Sequence, residues 1–131
     1  MNNKVIGNEF EKEFALYLQS KGMFVYNLPN KHTGQPFDII AVKGYIFFAF
    51  ECKHCKGDTF SLSRVEDNQM QALRKLEKAK ANNYFFVFKF DDEIRFCEAS
   101  YIKDKLKIGK KVHKDELSSF KRLEELLSIL S

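Results

Sequence analysis

Apolar positions along the chain change period several times, and each change marks an element. Phe10, Phe14, Tyr17 and Leu18 recur at helical spacing before a stop at Lys21-Gly22, so a first helix is expected to open at Gly7-Asn8-Glu9-Phe10-Glu11. Met23–Leu28 reads as a strand, and a polar loop with Pro29, Lys31, His32, Thr33, Gly34 and Pro36 follows. From Ile39 to Phe50 the chain is apolar except at Lys43-Gly44, which predicts two strands folded over a turn at those residues. The chain is expected to leave the sheet at His54-Cys55-Lys56-Gly57-Asp58. Ser63-Arg64-Val65-Glu66 then forms a capping box for a second helix reaching about Ala81, with Val65, Ala72, Leu73, Leu76 and Ala79 facing inward. Tyr84–Phe88 suits an interior strand, and Asp91-Asp92 is a turn. Ile94 and Phe96, with Tyr101 as a candidate third member, form the next strand. Leu117, Phe120, Leu123, Leu126, Leu127 and Leu130 outline a terminal amphipathic helix. The order α-β-β-β-α-β-β-α, with a basic segment before the last helix, predicts an α+β (mixed α/β) domain spanning residues 1–131. Its expected architecture is a central mixed β-sheet flanked by helices.

Composition narrows the class. A chain of 131 residues that is 44% hydrophobic and 15% aromatic is long and apolar enough for a real core, and the 14 phenylalanines read mostly as packing. The net charge of +4 permits an anionic partner without demanding one. Three cysteines, an odd number, argue against a secreted disulfide framework. No run has the length of a signal peptide core or a membrane span, so a soluble, cytoplasmic protein without a membrane partner is expected.

The charges that interrupt the hairpin carry the chemistry. Asp38, Glu51 and Lys53 belong to residue types depleted in strands. With Val42 facing Tyr45, Asp38 lies opposite Ala49, and Glu51 becomes its diagonal neighbour at about 7–8 Å on the same face as Lys53. Two carboxylates on one face tolerate each other best around a cation. Oxygen ligation by Asp38 and Glu51, with the carbonyl of Cys52, suits Mg²⁺ or Mn²⁺, and Mg²⁺ points to a phosphate ester substrate. Lys53 could orient or deprotonate an attacking water and offset transition-state charge. An ordinary ion pair at a sheet edge is the alternative.

Two further residues stay open on spacing alone. Glu11 is either the partner of an Asn8 cap or a third acidic ligand. Gln69 lies on the inward stripe of the second helix and needs a partner, in backbone or in the acidic site. Cys52-Lys53-His54-Cys55 invites zinc but lacks a second ligand pair, so Cys52 and Cys97 read as core. The basic residues from Lys103 to Lys114, with Lys53, His54, Lys56, Arg64, Arg74, Lys75 and Lys78, either track phosphates or form a solvated face.

Pro36-Phe37-Asp38 followed after twelve residues by Glu51-Cys52-Lys53 resembles the motif of the PD-(D/E)xK nuclease superfamily. Gly7-Asn8-Glu9-Phe10-Glu11 is similar to the opening of cellular Holliday junction resolvases of the archaeal and RecU types. Lys43-Gly44-Tyr45 through Lys53 resembles the RecU hairpin, and Phe60-Ser61-Leu62 with Glu66-Asp67-Asn68-Gln69 resembles the RecU segment after that hairpin. The resemblance implies a restriction-endonuclease-like nuclease fold. It also implies a homodimeric endonuclease, dependent on Mg²⁺ (or Mn²⁺), that cuts four-way DNA junctions with water, leaving 5′-phosphate and 3′-hydroxyl. Carried over by position, Glu11, Asp38 and Glu51 are metal-site acids, Lys53 the catalytic lysine and Gln69 a supporting amide. Lys31, His32, Thr33, His54, Lys56, Arg64, Lys110 and Lys111 become candidate DNA contacts. Two departures stand out: Phe37 separates Pro36 from Asp38, and the RecU stalk is reduced to Pro29–Gln35, which bears on junction preference. Another nuclease of this superfamily acting on branched or foreign DNA, or a non-catalytic DNA-binding module of the same fold, are the competing readings.

Overall fold

Alternate residues of the central strands send aromatic rings to both faces of a sheet, and helices close over each face. The computed structural model describes residues 3–29 and 34–130, with side chains from 9 to 29 and from 34 to 129. In chain order the elements are α1 (Asn3–Ser20), β1 (Phe24–Asn27), β2 (Ile39–Lys43), β3 (Ile46–Cys55), β4 (Thr59–Ser61), α2 (Asp67–Lys78), β5 (Tyr84–Phe90), β6 (Glu93–Glu98), α3 (Ala99–Leu106), β7 (Lys111–His113), β8 (Ser118–Ser119) and α4 (Phe120–Leu130). The main sheet runs β1-β2-β3-β5-β6-β8, and β4 with β7 forms a separate ribbon. Among the described residues only β3 and β5 pair in parallel, which is why the link between them carries a crossover containing α2. The expected mixed sheet flanked by helices is present.

On one face Phe48, Phe50, Phe85 and Val87 meet Phe10, Phe14 and Leu18 of α1 and Leu123 of α4. On the other, Tyr84, Phe86, Phe88 and Phe90 meet Leu73 of α2, Ile102 of α3, and Phe60 and Val112 of the ribbon. Rings tile both layers. Phe50 meets Phe14 edge-on at 5.0 Å, and Phe60 meets Phe88 at 4.9 Å.

Several boundaries differ from expectation, each for a local reason. Helix α1 starts at Asn3, so Asn8 lies inside it and cannot cap it. The hairpin turn is Gly44-Tyr45 rather than Lys43-Gly44, since Lys43 pairs with Ile46 and Val42 with Phe47. Gly44 takes φ +60° at the first central position and Tyr45 has no positive φ, the pattern of a type II′ turn. Strand β3 runs through Cys55, so His54 and Cys55 remain in the sheet and the chain turns only at Lys56-Gly57-Asp58. Ser63 and Arg64 belong to a short 3₁₀ turn, and the cap of α2 is Glu66 with Gln69 three residues on, one turn later than predicted.

Helix α2 buries Gln69, Met70, Ala72 and Leu73 and ends at Lys78, which leaves Ala79 exposed. Tyr101 is helical: α3 divides the basic segment from β6, and its Ile102 is fully buried. Strand β7 takes the other half of that segment into the ribbon through Val112. Leu117 precedes α4 and joins the α2 side rather than the stripe of its helix. Among the described residues no helix is long and apolar enough to cross a membrane.

Phe50 is fully buried where α1 meets the sheet. Phe50→Ala is expected to lower unfolding free energy by about 3–5 kcal/mol, measured by denaturant titration.

Candidate active site

Strands β2 and β3 part company just beyond the Ile39–Phe50 pair. There Asp38 N–H donates to the Phe50 carbonyl at 3.0 Å, and the Asp38 carbonyl accepts from Leu28 N–H at 2.8 Å. The ladder is shifted by two from the expected register yet keeps its parity, and Asp38 lies at a bend beyond its last pair. Its place beside Glu51 is set by the contacts of its carboxylate rather than by a ladder pairing. The Asp38 carboxylate fills the gap between the strands: Oδ2 accepts from Cys52 N–H at 2.8 Å and Oδ1 from Gln35 Nε2 at 2.7 Å.

Glu51 is 3% exposed and Asp38 8%. Glu51 Oε2 accepts from Gln69 Nε2 at 2.7 Å and lies 3.1 Å from Lys53 Nζ. Lys53 Nζ also donates to the Arg64 carbonyl at 3.3 Å. Gln69 serves both roles open to it in sequence, because its Oε1 accepts from Glu66 N–H at 3.0 Å. That bond fixes which end of the amide faces the carboxylate. Among the described residues no donor reaches Glu51 Oε1, while the Asp38 carboxylate lies within hydrogen-bonding reach of the Glu51 carboxyl.

Burial raises the pKa of Glu51 to about 8, helped by the nearby Asp38 charge and opposed by Lys53. Asp38 is also raised by burial, against the lowering effects of Cys52 N–H, Lys53 and Gln35. Two buried carboxyl groups with raised pKa values, one with an oxygen that no donor reaches among the described residues, form an oxygen donor set that suits a hard divalent cation. Cys52 adds to it through its backbone. In an extended strand the N–H and C=O of one residue point to the same edge, so its carbonyl is directed toward the Asp38 side. Its thiol packs on the α1 face, whereas Cys55 packs on the α2 face, so the two cannot share a zinc ion.

Glu11 stands apart. It accepts from Asn27 Nδ2 at 3.2 Å, and its pKa is raised first by burial and then by Asp38. Among the described residues no three His, Cys, Asp or Glu side chains converge to hold an ion, so Glu11 does not complete a three-carboxylate cage. It lines a cleft of about 570 Å³ with Lys12, Asn27 and Gln35, beside the acids.

The candidate DNA contacts fall into two groups, and Lys31, His32 and Thr33 lie outside the described residues. Lys56, Arg64, Lys110 and Lys111 are exposed. Pairing of β4 with β7 sets Lys111 opposite Ser61, and Leu62 N–H bonds the Lys110 carbonyl at 2.9 Å. Arg64 stacks over Phe60 at 5.3 Å and donates to the His54 carbonyl at 2.8 Å. The ribbon thereby draws the distant basic segment next to Leu62–Arg64, where the Arg64 carbonyl accepts from Lys53. Lys103, Lys105 and Lys114 are engaged by Glu77, Glu116 and Asp58, while Lys110 and Lys111 have no acidic partner among the described residues. Strand alternation turns His54 to the α1 face, away from this group.

Sequence reading missed Gln35, Asn68 and Tyr84. Asn68 Nδ2 donates to the Gln35 carbonyl, and Tyr84 O–H to the Pro36 carbonyl at 2.9 Å. No periodicity exposes a loop amide such as Gln35. Tyr84 is hidden within an apolar run, its hydroxyl being the one signal.

Folding gives Glu51 a proton that the unfolded chain has already released between pH 4.5 and about 8, so stability from this group is full at low pH and lost as pH rises through that window. Thermal melts in chelator are expected to show falling stability from about pH 5 to pH 8, and Glu51→Gln is expected to flatten the slope.

With this geometry in view, the likeness to known proteins is specific. A sequence model described as archaeal Holliday junction resolvase (Hjc) matches residues 2–131. Holliday junction resolvase RecU of Mycoplasmopsis pulmonis (strain UAB CTIP) is 37% identical over 62 residues, 47% of this chain and 40% of that protein's length. The chain thus spans well under half of that curated relative. The solved structure of Archaeoglobus fulgidus Hjc, a Holliday junction resolvase from an archaeal hyperthermophile, superposes with a TM-score of 0.65 at 15% identity, covering 89% of this chain and 97% of that one, a likeness of fold. The family match extends over nearly every residue, and the chain belongs to the archaeal Holliday junction resolvase (Hjc) family.

Proposed function

We propose that this protein is a divalent-metal-dependent, structure-selective DNA endonuclease that resolves four-way junctions. One observation carries the reading: Asp38 and Glu51 are buried side by side next to Lys53, and among the described residues no donor reaches one Glu51 oxygen. The names of the family, of the RecU relative and of the Hjc structure support the junction as substrate.

Asp38, Glu51 and the Cys52 carbonyl would hold Mg²⁺ or Mn²⁺, with Glu11 adding negative charge beside Asp38. The bound cation supplies Lewis acidity at the phosphate and lowers the pKa of water. Lys53, held by Glu51 and the Arg64 carbonyl, orients the attacking water and offsets charge building on the phosphate oxygens. Gln69 keeps the Glu51 carboxylate in place. The water oxygen bonds to phosphorus and the bond to the 3′ oxygen breaks, leaving 5′-phosphate and 3′-hydroxyl. Arg64, Lys110 and Lys111 hold the backbone without reading bases, and recognition of the junction then rests on DNA shape and deformability. Such a substrate is intracellular.

Resolution requires two cuts, so we infer a symmetric homodimer. Phe24 and Tyr26, 69% and 54% exposed on the edge strand β1, are the apolar surface that supports self-association. Sedimentation is expected to report a dimer that Phe24→Asp weakens, while a wild-type monomer at every concentration overturns it.

Cleavage decides the activity. With Mg²⁺, wild type is expected to nick a mobile four-way junction symmetrically and to leave linear duplex nearly intact. Asp38→Asn and Glu51→Gln should lose at least about 100-fold in rate while still shifting the junction in gels. Equal cutting of junction, flap and duplex would reject the resolvase reading in favour of a broader nuclease. Binding without any cleavage would favour a non-catalytic module.

A further inference from the structure

Two buried side-chain oxygens lack partners among the described residues, and both belong to side chains at the acidic pair: Glu51 Oε1 and Gln35 Oε1. Chemistry settles the orientation of Gln35. Its amide meets an Asp38 carboxylate oxygen at 2.7 Å, and a carboxylate only accepts, so the NH₂ faces Asp38 and Oε1 faces away. An unpaired buried acceptor is costly, so one that the protein's own donors do not reach calls for a bound water or ion to satisfy it.

The segment that carries Gln35 is firmly held. Asn68, on the first turn of α2, donates to the Gln35 carbonyl, and Tyr84 O–H donates to the next carbonyl, Pro36. Gly34, at φ +79°, lies so near Asn68 that a Cβ there would stand 2.9 Å from Asn68 Nδ2. Neighbouring residues of α2 thus diverge to the two acids: Gln69 reaches Glu51 directly, and Asn68 reaches Asp38 by way of Gln35.

Building on the metal-dependent reading above, we infer that Gln35 is a positioning residue for the cation site. Its Nε2 orients Asp38, and its Oε1 accepts a hydrogen bond from a water of the cation's hydration shell. A partially hydrated Mg²⁺ or Mn²⁺ presents what both orphaned oxygens lack: positive charge for Glu51 and a water proton for Gln35. Outer groups of this kind set the orientation of direct ligands and their affinity for metal.

The test is Mn²⁺ binding by the full chain without DNA, followed by the electron paramagnetic resonance signal of unbound Mn²⁺. Gln35→Met removes donor and acceptor at similar volume and is expected to weaken Mn²⁺ binding about tenfold. Because Gln35→Met also strips Asp38 Oδ1 of its donor, the metal-free melting temperature is expected to fall, and the Mn²⁺ titration is run at a temperature where both proteins are fully folded. Gln35→Glu keeps an acceptor at the same reach but trades the donor to Asp38 for a second carboxylate, and is expected to retain more of the affinity than Gln35→Met. Equal binding by wild type and Gln35→Met, or equal loss in Gln35→Met and Gln35→Glu, overturns the inference and leaves the metal site standing. Failure of wild type to bind Mn²⁺, with Asp38→Asn no different, overturns both.

Discussion

A carboxylate placed in the interior of a sheet loses its water and needs compensation from its neighbours. Glu51 has that compensation on one oxygen only, from an ammonium two residues along its own strand and an amide on the crossing helix. Much of the surrounding architecture serves this need. Lys53 must share the face of Glu51, so β3 stays extended past the point where β2 leaves it. Helix α2 must present Gln69 at its N-terminal turn, which the parallel crossover from β3 to β5 permits. Asp38 can approach only because the two strands separate and free the Cys52 N–H to receive it. The aromatic layers supply the rigidity that keeps these groups together against their mutual repulsion.

Much of this is legible in the residues. Charged side chains in an otherwise apolar hairpin betray the site, and alternation puts Asp38, Glu51 and Lys53 on a common face. The turn is displaced by one residue from its expected place because Lys43-Gly44 and Gly44-Tyr45 both contain the glycine, and the difference between them is which central position takes positive φ. The cap of α2 falls later than expected because Ser63 and Glu66 satisfy the spacing of a capping box, whereas Glu66 and Gln69 form the real one. Helix α3 is hidden from pattern reading because eight residues after a strand, with Glu98 as a cap whose side chain accepts no helix N–H, carry little helical signal of their own. Glu11 lies close enough to feel the Asp38 charge, and its hydrogen bond is to Asn27 at the end of β1. Such partners come from tertiary packing, which spacing along the chain does not encode.

Charge shows the same division between sequence and structure. A single run of lysines becomes two populations once folded. Lys103 on α3 is neutralised across the gap to α2, and Lys114 is tied to Asp58 at the base of the ribbon. Lys110 and Lys111, at the start of β7, have no acidic neighbour among the described residues. The modest net charge therefore understates the field at one edge, where Arg64 is braced on the Phe60 ring beside the same ribbon.

The Gly44-Tyr45 turn lies five ladder pairs from the acids it aligns. Each ladder step alternates the face, so losing a single residue from the hairpin would either carry Asp38 away from Glu51 or force a bulge to restore it. Losing one from each strand would preserve the match. Changes in hairpin length are thus filtered by evenness rather than by size, and a small deletion at an exposed tip can be more damaging to the chemistry than a larger one.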